Sequence, residues 1–228
     1  MERGRLAQGG GKRRRVAYAV KEIYFTLQGE GFHTGRRAVF LRFAGCNLWT
    51  GREEDRATAV CNFCDTDFVG VNGPGGGKFA TPEDLADAVL QEWDRNAAAH
   101  PDKFTVLTGG EPLLQLDAPL IAALHAAEFE IAIETNGTLL TPDGVDWVCV
   151  SPKADADFLQ QSGDELKIVY PQNGLDPADF LDLDFIHFFL QPMDGPDVTR
   201  NTELAARYCD AHPQWKLSLQ VHKIFNLP

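Results

Sequence analysis

Short apolar runs alternate along the chain with stretches whose apolar residues recur three and four positions apart. The runs at 39–43, 104–107, 131–133, 147–150, 166–169, 185–190 and 217–221 are rich in Val, Ile and Phe, so they are predicted as buried strands. Thr81-Pro82-Glu83-Asp84 reads as a helix start. The threonine can cap, the proline suits the first helical position, and the acids suit the positive end of the dipole. Leu85, Val89 and Trp93 then share one helical face. Further helices are predicted over 119–127 and 202–211, and five glycines with one proline make 70–77 a loop.

Strands alternating with helices imply a parallel sheet with right-handed crossovers. Three or four helices cannot wrap about seven strands completely. The expected fold class is therefore α/β: a single-domain, partly open β/α barrel. Four strands run into small or polar tails, beginning at Thr108-Gly109-Gly110, Glu134-Thr135-Asn136, Ser151-Pro152-Lys153 and Gln191-Pro192-Met193-Asp194. In a parallel barrel these tails meet at the carboxyl face, where such folds keep their sites.

Composition adds limits. At 44% hydrophobic and 24% charged, usage is that of an ordinary soluble domain. No apolar run approaches the ~20 residues of a membrane span, and no secretory core follows the basic start, so a cytoplasmic protein without membrane attachment is expected. The first fifteen residues hold six of the 21 basic residues and one of the 33 acids. The remainder is thus more acidic than the net charge of −12 indicates, and no nucleic-acid partner is expected. With Gly9-Gly10-Gly11 inside it, the leader 1–15 reads as a disordered tail before a domain spanning 16–228.

Five cysteines in a chain without signs of export argue against a disulfide framework. Cys61-Asn62-Phe63-Cys64 is a C-x-x-C pair, and Cys46 precedes it by fourteen intervening residues, after a strand and Gly45. Three readings stay open on the cysteines alone. A structural zinc site would want a fourth ligand such as His33, at a spacing that matches no standard pattern. A redox pair would need no third cysteine. A four-iron cluster on three thiolates would leave one iron open to a small molecule. Cys149 and Cys209 read as small buried hydrophobes.

Other positions carry two readings each. Arg42, within Phe40-Leu41-Arg42-Phe43, points either inward to an anion or outward to solvent. Lys153 contacts a carboxylate or ribose, or is a solvated surface lysine. Thr66 and Asp67 offer oxygen to Mg²⁺ or only bond within a turn. Gly109-Gly110 permits close backbone approach to a ligand, or is a plain turn. The six histidines form no metal-spaced pair.

Together these residues resemble the radical S-adenosylmethionine (SAM) superfamily. Its usual signature is C-x-x-x-C-x-x-C with an aromatic before the last cysteine, the place of Phe63, and Gly109-Gly110-Glu111-Pro112 matches its glycine-rich motif. The long first gap points to a 7-deazapurine-forming subfamily, some of whose members carry an insertion there. Phe25-Thr26-Leu27-Gln28-Gly29-Glu30-Gly31, Leu41-Arg42-Phe43-Ala44-Gly45-Cys46-Asn47-Leu48 and Cys61-Asn62-Phe63-Cys64-Asp65-Thr66 carry the match.

The resemblance implies a lyase-type radical SAM enzyme that converts 6-carboxy-5,6,7,8-tetrahydropterin to 7-carboxy-7-deazaguanine with loss of ammonia, on the queuosine route. Its 4Fe-4S cluster would cleave SAM to a 5′-deoxyadenosyl radical that takes hydrogen from the substrate. Cys46, Cys61 and Cys64 would ligate the cluster. Phe63, Asp65, Gly110, Ser151, Pro152, Lys153, Gln191, Pro192, Met193 and Asp194 would line the cofactor. Thr66 would bind Mg²⁺. Leu27, Gln28, Gly29, Arg42 and Thr108 would hold the pterin, with the Pro228 carboxylate on its purine-like edge. A flavodoxin-like electron donor and a homodimer would complete it. The rivals are a radical activase of a partner protein, which would keep the short cysteine gap, and a non-catalytic zinc-stabilised binding module.

Overall fold

The computed structural model describes residues 17–228, and the basic leader expected over 1–15 lies outside them. Among the described residues, nine strands form one sheet in the order β3-β1-β2-β4-β5-β6-β7-β8-β9. The strands are β1 (Tyr18–Leu27), β2 (Arg37–Phe43), β3 (Gly77–Phe79), β4 (Phe104–Gly109), β5 (Glu130–Thr135), β6 (Trp147–Val150), β7 (Ser162–Tyr170), β8 (Asp184–Pro192) and β9 (Trp215–Leu217). The helices are α1 (Pro82–Ala97), α2 (Ala118–Ala126), α3 (Val198–Ala211) and α4 (Val221–Phe225).

From β2 to β9 every pairing is parallel. These are the strands the apolar runs predict. Two parts differ from expectation. An antiparallel edge precedes them, β1 pairing with both β2 and β3, and Gly77 of the expected loop belongs to β3. The last predicted run, 217–221, is mostly not a strand: pairing ends at Leu217, and Val221 begins α4. Only Leu217 of that run pairs with β8, and the chain must turn back toward β1.

The helices cover one face. Thr81 caps α1 by accepting from the Asp84 N–H at 3.0 Å, and Leu85, Ala86, Val89 and Trp93 are its buried residues. They pack on Ile23, Leu41, Leu107 and Ile133 together with Leu120 and Leu124 of α2. Each large side chain fully buried in this way contributes about 1.5–3 kcal/mol. A second cluster sets α3 on Leu166, Ile168, Leu190 and Trp215.

Among the described residues, α1, α2 and α3 leave the other face uncovered, and the sheet curls round it. Its inward residues grade along each strand. Ala38, Phe40 and Arg42 succeed one another on β2, Phe104, Val106 and Thr108 on β4, and Ala132 and Glu134 on β5. The amino end is thus an apolar floor, and the carboxyl end is a polar cavity. Phe32 seals the floor by stacking on His187 at 4.3 Å and Trp147 at 4.9 Å between ring centroids. Among the described residues, no helix is long and apolar enough to cross a membrane.

Candidate functional site

A cavity of about 550 Å³ opens at the carboxyl ends of the strands. That volume lies within the range of small-molecule sites. Cys46, Cys61 and Cys64 stand together in its wall. Cys46 follows β2 on a loop that Gly45 turns at φ 90°. Its sulfur accepts the Leu48 N–H at 3.4 Å. Burial pushes the Cys46 thiol above its ordinary range. Cys61 and Cys64 share a hydrogen bond, which drives Cys61 up and lowers Cys64 to about 6. The Thr66 N–H also bonds the Cys64 sulfur. Among the described residues, no three cysteine, histidine or acidic side chains converge on one metal-ion position.

The fourteen residues before Cys61 are ordered by Trp49 and Arg56. Trp49 is buried and donates to the Arg52 carbonyl at 3.1 Å. The Arg56 guanidinium lies 4.1 Å over the indole and donates to the carbonyls of Asn62 (3.0 Å) and Cys64 (2.9 Å). It therefore staples the C-x-x-C turn to the inserted loop. Arg56→Ala is expected to speed loss of bound iron under a chelator challenge, with unfolding stability falling only about 1 kcal/mol. Iron release at the wild-type rate would mean that the turn holds itself.

The glycine motif has two separable roles. A Cβ on Gly110 would overlap the Gly45 carbonyl oxygen, so this glycine lets the β4 tail lie against the Cys46 loop. Glu111 is fully buried and accepts from Leu113 N–H (3.0 Å), Thr135 Oγ1 (2.8 Å) and Asn136 N–H (2.8 Å). It ties the β4 and β5 ends together, and burial raises its carboxyl above the ordinary range.

The cavity gathers nearly every residue the sequence singles out. Leu27, Gln28, Gly29, Arg42, Phe63, Asp65, Thr66, Thr108, Gly110, Ser151, Lys153, Gln191, Pro192, Asp194 and Pro228 all line it. Pro152 and Met193 do not. Pro152 is buried beside Ser151, and the Met193 backbone bonds Tyr170 and Asn201 instead. Arg42 faces inward, on Glu22 Oε1 at 2.8 Å and the Tyr24 hydroxyl at 2.8 Å. Lys153 is not a solvated surface lysine. Its ammonium donates to Ser151 Oγ at 2.7 Å, and burial lowers its pKa. Asp67 lines the cavity too, with its carboxylate engaged by Lys21 at 2.7 Å. Cys149 is buried as expected, against Glu165 below the cavity, and Cys209 is only half-buried on α3.

Sequence reasoning missed the charged centre. Lys167, on β7, donates to Glu30 at 2.6 Å and Glu134 at 3.1 Å. Gln28 reaches Glu134 at 2.9 Å, and Gln220 reaches Glu30 at 3.0 Å. Burial opposes both charges, yet Glu30 is held below the ordinary carboxylate range by Lys167, and Lys167 well above its own by the two glutamates. A buried pair of carboxylates facing one ammonium leaves an excess of acceptors, suited to a ligand rich in N–H groups.

Similarity to known proteins extends along almost the whole chain. Residues 56–172 match the family model described as the radical SAM superfamily. The chain is 62% identical over 213 residues to a 7-carboxy-7-deazaguanine synthase of Caulobacter vibrioides, covering 93% of this chain and 100% of that protein. It is 59% identical to the Bordetella pertussis protein of the same name, with the same coverage. The crystal structure of QueE from Escherichia coli superposes with a TM-score of 0.63 at 27% identity, covering 90% of this chain and 95% of that one.

Proposed function

The chain belongs to the radical SAM superfamily and, within it, to the 7-carboxy-7-deazaguanine synthases, and from that premise we propose how its residues divide the work. The reaction converts 6-carboxy-5,6,7,8-tetrahydropterin to 7-carboxy-7-deazaguanine with loss of ammonia, in 7-deazapurine biosynthesis. The observation that carries the assignment of roles is that the three cysteines and the Glu30–Lys167–Glu134 centre line one cavity.

Family membership implies a 4Fe-4S cluster and SAM. The donor set fits a cluster: three thiols on one wall, two of them accepting backbone N–H bonds of the kind that tune iron–sulfur centres. Cys46, Cys61 and Cys64 would hold it. When bound, it supplies the electron that splits SAM and begins hydrogen abstraction.

The protein's own residues bind, orient and exclude water. Phe63, Asp65, Gly110, Ser151 and Lys153 form the SAM wall beside the cysteines, continued by Gln191, Pro192 and Asp194 at the β8 end. Leu27, Gln28, Gly29 and Thr108 form the pterin side, with Pro228 beside them, where its oxygen accepts from Thr26 of β1 at 3.2 Å. Glu30 and Glu134 join this set, because their acceptor-rich pair suits the donor-rich pyrimidine edge of a pterin. Arg42 answers the substrate carboxylate with the guanidinium N–H groups that Glu22 and Tyr24 leave free. Thr66 supplies a hard oxygen to Mg²⁺, the substrate supplying further ones.

A flavodoxin-like donor of single electrons and a homodimer complete the reading, in a cytoplasm that keeps the five free cysteines reduced. The substrate is a small molecule, and no nucleic acid takes part. Metal analysis after anaerobic reconstitution tests the roles assigned to the cysteines. About four irons and four sulfides per chain are expected from a cluster of that type. Zinc without labile sulfide would contradict them.

A further inference from the structure

The last segment of the chain crosses the mouth of the cavity and touches both of its halves. The Lys223 ammonium, on α4, lies 2.5 Å from Asp65 Oδ2 and 2.5 Å from Asp194 Oδ2. Asp65 comes from the loop after Cys64, and Asp194 from the end of β8. Two carboxylates gathered on one cation would repel each other without it.

The same segment then reaches the other side. Gln220 donates to Glu30 at 3.0 Å and to Asp65 at 3.3 Å. The Val221 N–H bonds the Gly29 carbonyl at 2.9 Å, and His222 packs so closely on Gly29 that no Cβ would fit there. Past α4, the Leu227 N–H returns to the His222 carbonyl at 2.9 Å, and Pro228 meets Thr26. The helix itself buries no residue, and Ile224 and Phe225 face solvent. Its position is therefore set by polar contacts at its ends, and Lys223 makes the two ionic ones among the described residues.

We propose that Lys223 is a positioning residue: by bridging Asp65 and Asp194 it fixes the C-terminal segment over the cavity, so that the SAM wall orders the pterin side. The inference rests on the division of the cavity proposed above. It goes beyond it by making two binding half-sites depend on one lysine at the mouth of the cavity.

Lys223→Met is compared with Lys223→Arg and the wild type, each as the anaerobically reconstituted full chain. The pterin KM is expected to rise about fivefold in Lys223→Met, as for two partly exposed ion pairs. The kcat should stay within about twofold and iron and sulfide content should be unchanged, because the reacting groups are untouched. Lys223→Arg should recover most of the loss. Amide exchange at Val221 and Leu227 should quicken in Lys223→Met even without ligands, while the sheet keeps its protection. Wild-type exchange at those amides, or a fall in kcat with an unchanged KM, would overturn the proposal. A wild type that binds no pterin would instead defeat the division of the cavity, and the exchange comparison would still decide whether Lys223 is the latch.

Discussion

Replacing Cys46, Cys61 or Cys64 by alanine is expected to remove bound iron and to abolish turnover, whereas Cys149→Ala keeps both. The contrast follows from placement. The three thiols share one wall of the cavity, beside the Gly110 and Lys153 tails. Cys149 is on β6, fully enclosed, and touches Glu165 beneath the charged centre. A cluster on three thiolates has no ligand to spare, so loss of any one leaves an additional iron without protein support. Iron and sulfide assays on the four variants, alongside turnover, make the comparison. An iron-free Cys149→Ala protein that still folds would move the ligand set.

Lys167→Met is expected to lower unfolding stability by about 3–5 kcal/mol, because removing one partner of a buried ionic group strands the others. Its side chain is 4% exposed, and Glu30 and Glu134 would be left facing each other. The pH dependence has a definite sign. The folded pKa of Glu30 lies below its ordinary 4.5, so its contribution is present above that value and fades as pH falls through the folded one. The folded pKa of Lys167 lies above its ordinary 10.5, so its contribution is complete below 10.5 and is lost as pH rises through the folded value. The stability difference between wild type and Lys167→Met should therefore be flat across neutral pH and shrink toward the acid end. Denaturant titrations at several pH values measure it, and a variant as stable as the wild type at neutral pH would show that the centre is not compensated through Lys167.

The parallel part of the fold is legible because its strands are buried on the helix side by continuous apolar runs. The antiparallel edge is not, for a physical reason. In β1, Lys21 and Glu22 interrupt the alternation, and the pairing register with β2 slips between Val20 and Glu22. Lys21 sits at that slip, buried, with its ammonium on Asp67, Asn72 and the Val69 carbonyl. A strand whose inward face is the binding site carries polar residues where a pattern search asks for apolar ones.

Lys167 illustrates the same point. It stands in Leu166-Lys167-Ile168-Val169 as Arg42 stands in Phe40-Leu41-Arg42-Phe43, a cation within an apolar strand in both cases. Glu30 and Glu134 lie inside quoted motifs, but only the folded chain reveals that they share a lysine. Arg56 has one partner legible in the sequence, Glu53 three residues before it, but its bonds to the Asn62 and Cys64 carbonyls carry no sequence signal, and neither do the Lys223 partners, carboxylates distant along the chain. The cysteine gap is the converse case. Nothing in its spacing specifies a loop, yet Trp49 and Arg56 make the insertion an ordered part of the cavity wall that carries the three cysteines.

The most direct test of the central claim is anaerobic turnover of 6-carboxy-5,6,7,8-tetrahydropterin by the iron-loaded protein with SAM, Mg²⁺ and a reductant. Formation of 7-carboxy-7-deazaguanine with an equal amount of ammonia is the expected result. Protein that carries its cluster and cleaves SAM, yet releases neither product nor ammonia from this pterin, would contradict it.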